Sequence, residues 1–267
     1  MKSTGGRFAK SGLVFAFLLM GFSFTVMQTL MARELLVSFA GNELSIGLVL
    51  GSWLILEAVG SGLATRLVER VRACPEPLDS ARDGLCRRGG ASSYAALQVA
   101  LSLLLPISVY AAFTVRRIVG ITPGEGMGLV PTFYSAFLVL LPLGLVDGAM
   151  FTFGCRAYAR EAPSIGHVYV LEAIGGTIGG LVFTYLFIPS LHSIHAILIL
   201  AALNLASAIC LLVLSPKSEV TRSRVFPAIV VVLLVASVYL LLSPQADAIH
   251  RWFVGQQWRG YDLAYYG

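Results

Sequence analysis

Three carboxylates, Glu57, Asp147 and Glu172, stand almost alone in long stretches with no other acidic or basic side chain of the Asp, Glu, Lys or Arg type. Each stretch is long enough to cross a bilayer, for which about 20 apolar residues suffice. An acid at the centre of such a span costs about 2.5–3.5 kcal/mol on insertion scales. Carboxylates held there can bind a cationic substrate, carry a proton, or pair with one another through shifted pKa values. Measured from the basic ends of their spans, at 1.5 Å per residue, all three fall about 12–14 Å from the same membrane face. A common depth on three helices points to a shared polar pocket. The other reading is structural: each acid satisfies a neighbouring helix, although interhelical hydrogen bonds contribute only about 0.6 kcal/mol on average.

The elements that must position these acids are membrane helices. Of 267 residues, 57% are hydrophobic and 12% charged, and the mean hydropathy is +0.82; soluble domains carry about 25% charged residues. Candidate spans run over 11–32, 44–65, 94–115, 127–154, 164–189, 193–215 and 225–243, with Pro189, Pro216 and Pro244 closing the last three. Pro106, Pro131 and Pro142 fall inside spans three and four and predict kinks there. No strand-like alternation occurs. The expected fold is an all-α, polytopic bundle of about seven transmembrane helices over residues 1–243, followed by an aromatic juxtamembrane tail, 244–267.

The first span imitates a secretory signal, with Lys2, Arg7 and Lys10 ahead of an apolar run, but that run is too long and no small-residue cleavage site follows. Of the 19 Lys and Arg residues, 14 fall on the side of the N-terminus and of the 66–93 loop, and 5 on the other. The positive-inside rule places the N-terminus in the cytoplasm, as in a bacterial inner membrane, and an odd span count puts the tail outside. The basic charge thus reports orientation and anionic lipid, not nucleic acid. Cys74, Cys86, Cys155 and Cys210 have no zinc-like spacing and read as free thiols, and His167, His192 and His195 read as interfacial. No metal, cofactor or catalytic motif is present.

Small residues four apart mark close helix packing. Gly175, Gly176, Gly179 and Gly180 follow Glu172, Gly144 and Gly148 bracket Asp147, and Gly47 and Gly51 precede Glu57. A second polar group, Gln28, Arg33, Glu34, Asn42 and Glu43, lies at the outer ends of spans one and two. A clamp across that hairpin is expected, with a ligand gate as the alternative.

Two stretches carry a resemblance. Gln28-Thr-Leu-Met-Ala-Arg33-Glu34 through Gly41-Asn42-Glu43 to Trp53-Leu54, and Tyr169-Val-Leu-Glu172-Ala-Ile-Gly175-Gly176-Thr-Ile-Gly179-Gly180, resemble the membrane region of spermidine-synthase-like proteins. In that family a helical membrane region precedes an aminopropyltransferase domain. Gln257-Trp258-Arg-Gly260-Tyr261-Asp-Leu263 looks like the linker into that domain, and the sequence ends at Gly267, about where it would begin. The resemblance therefore implies a membrane module that anchors or supplies polyamine chemistry, with a soluble aminopropyltransferase domain or chain as partner and no catalytic residue of its own. Leu63-Ala64-Thr65-Arg66 is weakly similar to a major-facilitator loop motif, with Thr65 replacing the acid. Two other functions stay open: a stand-alone small-molecule or proton-coupled transporter, and a membrane scaffold for a partner chain.

Overall fold

The computed structural model describes residues 4–41, 43–72, 80–121, 125–158, 165–214 and 225–258. Eight helices account for nearly all of them: α1 (Thr4–Phe39), α2 (Glu43–Arg72), α3 (Ser80–Val119), α4 (Leu129–Tyr158), α5 (Ile165–Val182), α6 (Ser193–Leu214), α7 (Val225–Leu242) and α8 (Gln245–Gln257). A π-helical turn (Phe183–Phe187) and a last α turn (Ile188–Ser190) continue α5. Among the described residues there is no strand. Seven of these helices are long and apolar enough to cross a bilayer, the architecture of an integral membrane protein and the all-α fold expected from the sequence.

The helices run past the apolar runs that predict them. The segment 66–93, expected as a loop, is helical up to Arg72 and again from Ser80, because hydropathy marks where a helix can sit in lipid, not where its hydrogen bonds stop. Residues 73–79, including Cys74, lie outside the described residues. Pro106 and Pro142 lie within continuous helices. Pro131 falls in the first turn of α4, where its missing N–H leaves no intrahelical bond unmade, so no kink is required there.

Two helix pairs dominate the packing, α1 with α5 and α2 with α4; α3 then packs on α4 and α6, and α6 on α7. Glycines explain both pairs. A methyl group added at Gly175 would strike the Leu18 carbonyl of α1, and one at Gly179 would lie 2.7 Å from the Phe22 carbonyl oxygen. Gly176 and Gly180 both face Thr25. On the other pair, Gly148 abuts the Glu57 carbonyl of α2, and Gly144 would place a Cβ 2.6 Å from that of Leu56. The expected role of Gly47 and Gly51 fails: both face open space, and Gly60, against the Leu145 carbonyl, is the α2 glycine that packs. Spacing alone does not reveal which face a glycine pair lies on.

Buried side-chain hydrogen bonds join the remaining helices. Gln98 Nε2 donates to Ser207 Oγ at 2.9 Å, tying α3 to α6, and Asn204 Nδ2 donates to Ser23 Oγ at 2.9 Å, tying α6 to α1. The segment after residue 244 begins with α8, which turns back onto α3, α6 and α7. Ala246, His250 and Phe253, at i, i+4 and i+7, form its buried stripe. Trp252 stacks on Tyr110 with ring centroids 5.5 Å apart, and Phe253 meets Phe113 at 5.6 Å. Residues 259–267, with most of the linker-like segment, lie outside the described residues.

Candidate functional site

Glu57, Asp147 and Glu172 line one cavity of about 570 Å³, within the usual size range of small-molecule sites. It lies between the two glycine-packed pairs. Four helices each contribute one stripe: Gly21, Phe24, Thr25 and Gln28 from α1; Trp53 and Glu57 from α2; Asp147 and Phe151 from α4; Tyr169, Glu172, Ala173 and Gly176 from α5. The i, i+3, i+4 and i+7 spacing on α1 and α5 is that of a single helical face. From the nearer ends of their spans, Glu172 is six residues in, Asp147 eight and Glu57 ten, or about 9–15 Å at 1.5 Å per residue.

Asp147 is the deepest of the three, 2% exposed. Its Oδ2 accepts a 3.1 Å hydrogen bond from Trp53 Nε1, while Oδ1 is buried with no hydrogen-bond partner among the described residues. Glu57 and Glu172 are half-buried. All three carboxyl groups line the same cavity, and among the described residues none that lines it is basic. Charge neutrality at this site therefore calls for protons or for a cationic ligand. Among the described residues, no group of three His, Cys, Asp or Glu side chains is placed to hold a metal ion.

The glycine contacts place these acids as well as the helices. Gly148 receives the backbone of Glu57 itself, and Gly21 of α1 receives the carbonyl of Glu172. The Ser61 and Thr152 hydroxyls, 2.8 Å apart, repeat the α2–α4 contact one turn further on. Glu57 and Glu172 thus sit at two of the close backbone approaches.

The outer polar group is divided between different surroundings. Gln28 belongs to the acid-lined cavity. Glu34, 5% exposed, does not clamp the α1–α2 hairpin: its Oε1 accepts a short hydrogen bond from Ser193 Oγ at the start of α6, and Arg33 Nε approaches that same oxygen at 4.0 Å. Glu43 is exposed in the first turn of α2, where a carboxylate complements the helix dipole. Asn42 lies outside the described residues.

Sequence reasoning missed Trp53 as the donor to Asp147, and Thr25, Phe24, Phe151 and Tyr169 as walls. The signal was present. Trp53 lies one turn before Glu57, Phe151 one turn after Asp147, and Gly21-Thr25-Gln28 forms a small and polar stripe in an otherwise apolar span. Three of the four histidines form a second cluster near Arg33 of α1: His192 stacks on His250 at 4.6 Å, and His195 Nε2 lies 3.7 Å from Asp247 Oδ1. Burial, with His192, His195 and Arg33 nearby, lowers the His250 pKa to about 4.

No protein-family model, curated protein or solved structure matches this chain.

Proposed function

We propose that this chain is the membrane module of a spermidine-synthase-like system, and that Glu57, Asp147 and Glu172 bind a cationic amine inside the bilayer. The observation that carries this reading is a single cavity lined by three carboxylates and, among the described residues, by no base, with one oxygen of Asp147 buried and unpartnered among them. An amine with two or more ammonium groups supplies the missing charge, and the Trp53, Phe24, Phe151 and Tyr169 rings can hold its methylenes and the faces of its cations. The module contributes binding; the aminopropyl-transfer chemistry belongs to a soluble domain or partner chain. In the proposed topology the 66–93 segment is cytoplasmic, in a bacterial inner membrane, so the cavity lies in the inner half of the bilayer.

Purified protein in nanodiscs should bind spermidine by calorimetry. Binding should weaken at least about tenfold, the equivalent of 1.4 kcal/mol, in each of Glu57→Gln, Asp147→Asn and Glu172→Gln. Unchanged affinity in all three folded variants refutes the amine site.

A second reading, a small-molecule or proton-coupled transporter, draws support from the arrangement of two glycine-packed pairs, α1/α5 and α2/α4, on either side of the cavity. Rigid units that rock about a central site are how alternating access is built. Amine uptake into proteoliposomes, with a proton gradient as the variable, separates the two: accumulation favours transport, and binding without accumulation favours the anchored module.

A further inference from the structure

The cavity is graded from a dry interior to an open edge. Its inner wall is Trp53 and Asp147, each 2% exposed. Its α5 wall is the reverse: Tyr169 is 66% exposed, Ala173 is exposed and Glu172 half-buried. Along α1 the lining stripe is bounded one turn away by Phe17 and by Met31, both fully buried. The open edge therefore lies on the side of the bundle where α5 turns its flank outward. Tyr169 and Ala173 lie three and seven residues into the candidate span of α5, Gly166–Ser190, so the open edge runs from the membrane interface, where tyrosines are enriched, toward the hydrocarbon. On α2, Leu54, one turn from Glu57 and 62% exposed, presents the same apolar surface.

We infer that this site, resting on the amine reading above, takes its ligand sideways from the bilayer: an amphiphilic amine, with one or more ammonium groups on the head and a long alkyl chain. The head reaches Glu57, Glu172 and the unpartnered Asp147 oxygen, and the chain leaves past Tyr169 and Ala173 into hydrocarbon. A free polyamine would have to shed its hydration before entering an edge that opens on lipid, whereas an amphiphile arrives already partitioned and oriented. Aromatic rings beside the carboxylates serve both parts of such a molecule, the faces for the cation and the edges for the chain.

Two probes with the same head separate the routes: 1,3-diaminopropane, and its N-dodecyl derivative. Thermal unfolding in phosphatidylcholine nanodiscs reads binding as a rise in Tm, with dodecanol as the control for chain insertion alone. The dodecyl compound is expected to raise Tm at a total concentration at least about a hundredfold below that of diaminopropane. Glu57→Gln/Glu172→Gln should abolish the rise. Ala173→Trp, which narrows the edge and leaves every carboxylate in place, should raise the concentration needed about tenfold, and it serves if the double variant fails to fold. Diaminopropane acting as potently as its dodecyl derivative, with Ala173→Trp affecting neither, overturns entry from lipid and leaves the amine site standing. A dodecyl effect that persists in the double variant, or that dodecanol reproduces, also overturns the inference. Stabilisation by neither amine overturns both readings.

Discussion

Gly148→Ala is the substitution on which the positions of the acids depend most directly. An added methyl group at Gly148 would sit 2.7 Å from Ser61 N and closer still to the Glu57 carbonyl oxygen. Both obstacles are backbone, so no rotamer change relieves them. Ordinary van der Waals contact needs about 3.4 Å or more, and α2 and α4 would have to part by about 1 Å locally. Overpacking of this kind costs about 1–3 kcal/mol, while alanine in place of glycine returns up to about 1 kcal/mol of helix propensity. The expected net loss is about 1–2 kcal/mol. Gly62→Ala, on the same α2 helix and facing open space, keeps the propensity gain without the clash and should be neutral or slightly stabilising. Reversible denaturation in bicelles, followed by far-ultraviolet circular dichroism, measures both. Parting the helices also draws Glu57 away from Asp147, so amine affinity should fall in Gly148→Ala and hold in Gly62→Ala. Equal stability of the two variants would refute the close-packing account and, with it, the reason the carboxylates meet.

Other outcomes follow from single contacts. Ser193→Ala strips the hydrogen bond from buried Glu34 and should cost about 1–3 kcal/mol, with Ser193→Thr recovering most of it in the same denaturation assay. Trp53→Phe leaves both Asp147 oxygens without a donor and should alter amine binding more than it alters stability, by calorimetry and denaturation compared. The His250 pKa lies at about 4 against an ordinary 6.5, so below 6.5 the undocked helix takes up a proton that docked α8 refuses. Docking is therefore full above pH 6.5 and weakens as pH falls toward 4, by at most about 3 kcal/mol and by about 1–2 once water at the edge of the bundle screens the charge. Hydrogen exchange of residues 245–257 across that range should show the loss, and His250→Phe should flatten it.

The spans and the three acids were legible because they are one-dimensional signals: an unbroken apolar run states its own length, and an isolated carboxylate inside it states its own cost. The partners were not. Glu34 lies in sequence beside Glu43 and Asn42, yet its hydrogen bond comes from Ser193, 159 residues away, and nothing local distinguishes that choice. Gly47 and Gly51 have the same spacing as Gly144 and Gly148, yet one pair faces open space and the other a backbone; the difference is the rotation of α2 about its axis, which its neighbours set. Helix α8 escaped notice because its stripe of Ala246, His250 and Phe253 is short and weakly apolar, and it becomes a stripe only against the Tyr110 and Phe113 rings.

Close approach and chemistry coincide in this bundle for a physical reason. Where a glycine lets two backbones touch, no large side chain fills the space beside the contact, and a gap opens along the same helices one face away. Gly148 against Glu57, and Gly21 against Glu172, put a carboxylate-bearing residue at two of these contacts. Glu57 and Glu172 are each held through their own main chain, which leaves their side chains free to line the gap, while Asp147 is held through its side chain by Trp53. A site made this way is stiff along the helix contacts and adaptable across the cavity between the pairs. Substitutions at the glycines should therefore damage fold and binding together, whereas amide substitutions at the acids should damage binding alone. Separating those two signatures in one set of variants decides whether the carboxylates are there for the ligand or for the bundle.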